Sequence, residues 1–139
     1  MSDYELMLAA VKARENAYNP YSNFRVGAAL LCADGRVFTG CNIENAAYTP
    51  TNCAERTAVF KAVSEGVRDF CCIAVVGGAG ETLNDLCAPC GICRQVLSEF
   101  CDGDFRILLG TPERIRVCTL SELLPLSFGR ADLDADGGN

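Results

Sequence analysis

The chain has 139 residues, half of them hydrophobic, with a formal charge of −6, ten cysteines and no histidine. That length and apolar content suit one globular domain with its own core, and the acidic balance excludes a surface built to neutralise polynucleotide phosphates. The lack of histidine removes Ser-His-Asp triads, Cys-His nucleophiles and imidazole metal ligands, leaving carboxylates, thiols and metals to carry any chemistry.

The opening Met1-Ser2-Asp3-Tyr4-Glu5 is acidic and polar rather than a basic segment followed by an apolar run. It predicts a cytoplasmic, soluble protein with no membrane partner and with its cysteines reduced rather than paired as a secreted scaffold. Ser2 and Glu5 have the spacing of a capping box, and Leu6, Ala10, Ala13 and Ala17 recur at helical intervals until Asn19-Pro20. A first helix is expected over about residues 3–17. Residues 24–32 and 36–41 are strand-like, and Asp34-Gly35 between them signals an antiparallel hairpin.

Residues 42–52 lose periodicity and gather Asn, Thr and Pro, which predicts a loop leading into a second helix that starts at Cys53 and ends near Gly66. A continuous apolar run at 71–76, a helical pattern at 90–101 and a second apolar run at 105–109 read as two parallel strands joined by a helix. A short strand near 115–118 and a helix near 121–124 follow. Residues 1–128 are expected to form the single catalytic domain, and the Asp- and Gly-rich end at 129–139 a flexible tail.

The alternation of elements predicts an α/β fold, a three-layer α/β/α sandwich on a mixed sheet. Within it, Cys90-Gly91-Ile92-Cys93 is the candidate metal-ligand pair, preferred over Cys87-Ala88-Pro89-Cys90 because Pro89 disfavours helical geometry at Ala88. Continued as a helix, the pattern turns both thiols of the preferred pair toward the core. A lone C-x-x-C is shared with redox and packing roles. A third thiol, Cys53, stands at another helix start, where the dipole and free amides favour thiolate. Three thiolates outweigh a divalent charge, and Arg56 and Arg94 are the candidates to offset the excess.

Glu55 has two readings. With Asn52 as N-cap it would complete an ordinary capping box. Its helical face, however, is shared with Ala58, Val59 and Ala62, which turns the carboxylate into the core, where burial raises its pKa toward the range useful for proton transfer. A closed structural site of Cys53, Cys87, Cys90 and Cys93 is the alternative to three ligands with an open position.

Cys53-Ala54-Glu55 followed by Pro89-Cys90-Gly91-Ile92-Cys93-Arg94-Gln95 resembles the cytidine deaminases, the small homotetrameric zinc-dependent family, in a three-cysteine form. The likeness extends through residues 24–29, Asn42-Ile43-Glu44-Asn45, Tyr48 and 124–128. It implies a five-stranded sheet, one Zn2+ per chain on Cys53, Cys90 and Cys93, and Glu55 as the catalytic proton carrier. Arg56 looks like the charge-compensating partner of the thiolates. By the same resemblance Asn42 and Glu44 hold the ribose, Phe24 packs on the pyrimidine, Ala54 and Tyr48 belong to the substrate site, and Phe128 comes from a neighbouring subunit of a homotetramer.

The implied reaction is hydrolytic deamination of free cytidine and deoxycytidine to uridine and deoxyuridine plus ammonia, in pyrimidine salvage. A related nucleoside deaminase, such as one acting on blasticidin S, and a noncatalytic zinc-stabilised module are the alternatives. A thiol-disulfide oxidoreductase is a further one, poorly matched by the third cysteine.

Overall fold

A computed structural model describes residues 1–134. The first helix, α1 (Asp3–Ala13), is closed at its start by the expected capping box, with Ser2 accepting from the Glu5 amide and Glu5 accepting from that of Ser2. It ends earlier than its apolar spacing predicts, because the chain tightens into a 3-10 turn at Arg14–Asn16 before Pro20. The hairpin follows as β1 (Phe24–Cys32) and β2 (Val37–Cys41), turning through Gly35 at a positive φ of 90°.

Helix α2 (Ala54–Ser64) takes Cys53 as its N-cap rather than Asn52. Asn52 instead donates from Nδ2 to Thr57 Oγ1, so the capping-box reading of Glu55 does not apply. Strand β3 (Phe70–Ala79) is longer than the apolar run that marks it, since Gly77 and Gly78 continue the pairing. Helix α3 (Gly91–Phe100), strands β4 (Arg106–Thr111) and β5 (Arg114–Thr119) and the single-turn α4 (Leu120–Leu123) complete the fold.

The five strands lie in the order β2-β1-β3-β4-β5. β1 is antiparallel to both neighbours, β3 and β4 are parallel across the α3 crossover, and β5 returns antiparallel, so the sheet is mixed. On one face α1 buries Leu6, Met7 and Ala10 against Ala29, Ala74, Val76 and Leu108. On the other, Ala58, Val59 and Ala62 of α2 and Leu97 of α3 pack on Ala28, Leu30, Val75 and Ile107. These are the three layers that the alternation predicts.

Two glycines let the helices approach the sheet. A Cβ at Gly27 would fall 2.0 Å from Ala10 O in α1, and one at Gly40 would fall 2.4 Å from Ala54 O in α2. Beyond α4, part of the expected flexible tail is helical, the turn α5 (Arg130–Leu133), whose first amide at Gly129 donates to Asp132 Oδ2 at 2.8 Å. The remainder of that expectation, residues 135–139, lies outside the described residues. No described helix is long and apolar enough to cross a membrane.

Candidate active site

Two helix starts converge at one end of the sheet. β2 feeds the 42–52 loop into α2, and β3 feeds the 80–90 loop into α3, so Cys53 and Cys90 become the two N-caps and Cys93 lies in the first turn of α3. The sulfurs of Cys53 and Cys90 are 3.6 Å apart and those of Cys90 and Cys93 are 3.5 Å apart, with all three within 4.8 Å of one another. Four-coordinate zinc with Zn–S bonds of about 2.3 Å sets sulfurs roughly 3.8 Å apart, so the donor set fits that ion.

One expectation needs correction. The helical pattern turns both α3 thiols toward the core, and Cys93 is indeed buried, but Cys90 is exposed. As an N-cap in extended conformation (φ −68°, ψ 169°) it lies off the helical wheel, which frees its sulfur to face the other two from outside.

The electrostatics are those of a thiolate site. The hydrogen bond from Cys93, with help from Arg56 and Cys90 and against burial, pulls the Cys53 thiol down to about 5. Cys93 moves up, because it shares that hydrogen bond as donor and is buried beside Glu55. Arg56 Nη2 donates to Cys53 Sγ at 3.2 Å, while its buried Nε has no hydrogen-bond partner among the described residues. A cation with a spare donor beside three sulfurs suits a cluster that loses its protons to a metal. Arg94 does not reach the sulfurs; its Nε donates to Pro89 O at 2.7 Å and its Nη1 to Leu123 O at 2.8 Å, bracing the turn that delivers Cys90.

Glu55 is only 4 % exposed. Burial lifts its pKa to about 7, with the charge of Cys53 adding to the rise. Its neighbours along the chain explain the placement: α2 turns Ala58, Val59 and Ala62 to the core and carries Glu55 on the same side, where it lines a cavity of about 370 Å3.

That cavity brings together Phe24, Asn42, Glu44, Cys53, Ala54, Glu55 and Cys90 from the residues singled out in the sequence. Asn42 stitches the loop to β1, accepting from Val26 N at 2.9 Å on Oδ1 and donating from Nδ2 to Phe24 O at 2.8 Å. Glu44 accepts the amides of Tyr21 and Ser22 and the Ser22 hydroxyl. Tyr48 and Phe128 are not in the cavity wall. Tyr48 sits edge-on to Tyr21 at a positive φ of 61°, and Phe128 is 62 % exposed.

Ser22, Val26, Thr51, Asn52, Cys87 and Ala88 also line the cavity; all but Val26, which lies in β1, are in loops, where the sequence carries no periodic signal. Cys87 is packed so closely on β3 that a Cβ at Gly77 would fall 2.6 Å from its sulfur, burial raises its thiol to about 11, and it is not among the three sulfurs that cluster. A larger groove of about 1090 Å3 lies between α3, α4 and the C-terminal segment, away from the thiol cluster.

Residues 1–109 match the family described as the cytidine and deoxycytidylate deaminase zinc-binding region. The cytidine deaminase of Sporosarcina psychrophila is 52 % identical over 133 residues, covering 94 % of this chain and 95 % of that one. The chain belongs to the cytidine deaminase family. Among solved cytidine deaminases, that of Burkholderia pseudomallei superposes with a TM-score of 0.85 at 48 % identity, covering 92 % of this chain and all of the other. That of Mycobacterium tuberculosis gives 0.76 at 42 % identity, covering 93 % and 99 %. The zinc-binding region of a cytidine deaminase is thus represented here by an all-thiol cluster, in a chain that has no histidine.

Proposed function

We propose that this chain hydrolyses the exocyclic amine of free cytidine and deoxycytidine, releasing ammonia and uridine or deoxyuridine, as a cytoplasmic enzyme of pyrimidine salvage. The observation that carries the reading is the buried carboxylate of Glu55, two residues from a ligand thiol and facing the cavity. A structural zinc site has no use for such a group, because burying an uncompensated carboxylate is costly.

Cys53, Cys90 and Cys93 hold the zinc, and Arg56 offsets their excess charge. Zinc, when bound through three thiols, supplies a fourth position at which water is acidified. Glu55 would take the two protons of the attacking water in turn, passing the first to ring N3 as the water oxygen bonds to C4 and the second to the amine as the C4–N bond breaks and ammonia leaves, a shuttle for which a pKa near neutrality is suited. Ala54 offers its backbone amide, one of the free N–H groups of the first turn of α2, to the base. Phe24 packs on the flat pyrimidine, and Asn42 and Glu44 hold the sugar hydroxyls.

Tyr48 and Phe128 complete the site in an assembly of four chains. Support comes from the segment around Phe128, where Leu126, Phe128 and Leu133 all stand exposed, an apolar surface suited to a neighbouring copy. All ten cysteines are free, in keeping with a reducing compartment.

The test follows the ultraviolet absorbance of cytidine and deoxycytidine with purified protein, Glu55→Gln and zinc quantified in parallel. Turnover by the parent should fall by about a hundred- to ten-thousandfold in Glu55→Gln at unchanged zinc content. Equal turnover in both would sink the role of Glu55, and zinc without turnover in the parent would revive the structural site.

A further inference from the structure

Glu44 and Phe24 stand on different segments, one in the loop after β2 and the other at the first residue of β1, and one small side chain touches both. The Ser22 hydroxyl donates to Glu44 Oε2 and accepts the Phe24 amide at 3.0 Å. The amides of Tyr21 and Ser22 donate to the other carboxylate oxygen, Oε1, at 2.9 and 3.2 Å. Ser22 lines the same cavity as both residues. Asn23, in the left-handed region at φ 58°, then turns the chain directly into β1, and its carbonyl accepts the Gly80 amide at 2.9 Å.

An ionised carboxylate offers about four lone-pair sites. Three are occupied here by the 21–22 segment, so what remains for an outside donor has one direction instead of several. The same hydrogen bonds, led by that from Ser22, hold Glu44 below the usual carboxylate range, so it stays an acceptor. Ser22 is exposed and outside both core clusters, so its hydroxyl serves no packing purpose.

We propose that Ser22 is a positioning residue for nucleoside recognition, its hydroxyl tying the sugar-binding carboxylate of Glu44 to the backbone amide of Phe24, the residue whose ring stacks on the base, so that sugar and base are held at one fixed spacing. This deepens the proposed function and rests on the sugar-binding role given there to Glu44. Without the hydroxyl, Oε2 is free to turn toward solvent and the Phe24 amide loses its acceptor. Misplacement of a binding group by a fraction of an ångström is sufficient to lose about tenfold in kcat/KM.

The experiment compares kcat/KM for cytidine and for 2′,3′-dideoxycytidine, which lacks both ring hydroxyls, in the zinc-loaded parent, Ser22→Ala, Ser22→Thr and Glu44→Gln, with zinc content and Tm measured for each. Ser22→Ala should lower the cytidine to dideoxycytidine ratio about tenfold, mainly through KM, and Ser22→Thr should restore it. If Glu44→Gln lowers the ratio and Ser22→Ala leaves it unchanged, the inference is overturned while the proposed function stands. Equal losses on both substrates would reduce Ser22 to a loop-building residue and overturn it too. A ratio unchanged in Glu44→Gln would remove the sugar-binding role itself, and the inference with it.

Discussion

Arg56 and Arg14 are both cations drawn away from water, and they are stabilised by different acceptors. Arg56 faces a ligand sulfur, and its unpartnered Nε leaves it a second donor for the cluster. Outer-shell partners of this kind are worth about 10- to 100-fold in metal affinity. Arg56→Gln should therefore release zinc at correspondingly lower chelator concentration, measured by competition with a chromophoric chelator, with the helix content unchanged. Arg14, only 5 % exposed, donates instead to backbone carbonyls of Arg25, Gly78, Gly80 and Glu81. Burial, and after it the charge of Arg25, lowers its pKa from the usual arginine value. Its role could not be read from the sequence, because its partners are main-chain atoms as far as 67 residues away and an arginine late in an amphipathic helix looks like surface. Glu55 was legible for the opposite reason. Its inward direction follows from the local period of α2 alone, which places it with Ala58, Val59 and Ala62.

At the level of elements, the ligand helices were foreseeable to within a residue at their starts, and the direction of the Cys90 side chain was not. The apolar runs and the Asp34-Gly35 turn locate the hairpin, α2 and the parallel pair β3 and β4 to within a few residues. An N-cap has extended backbone, however, and no wheel drawn through it describes where its side chain goes, hence the outward turn of Cys90. The placement of α2 depends on Gly40, against which the helix backbone rests. Gly40→Ala must push α2 and Cys53 away from β2, which should cost about 2–3 kcal/mol and weaken zinc binding as well, read by thermal unfolding and zinc titration. Gly35→Ala supplies the contrast. Its φ of 90° makes it strained, by about 1 kcal/mol, but nothing lies within 4 Å of the added carbon, so zinc affinity should be unchanged.

For the molecule as a whole, two of the residues that local patterns did not place stand at its outer surface. Tyr48 and Phe128 read as aromatic members of a site, yet each stands in solvent on its own chain, Tyr48 at 74 % exposure. Under the assembly proposed above, the parent should sediment as a single species of about four chains, and Leu126→Ser, at a side chain that is fully exposed here, should shift it toward smaller species with loss of turnover. A monomeric parent with full activity would contradict the assembly.

Gly27 and Gly40 sit on neighbouring strands, near-opposite in the β1–β2 register, and admit a helix from each side. At that point the three layers are separated by little more than backbone, so α1, the hairpin and α2 are clamped together without help from the metal. That close contact holds α2, and with it Cys53, against the sheet. Removing zinc with a chelator should therefore leave the helix content unchanged by circular dichroism, whereas loss of helix on chelation would show that the metal, not these glycine contacts, holds α2 in place.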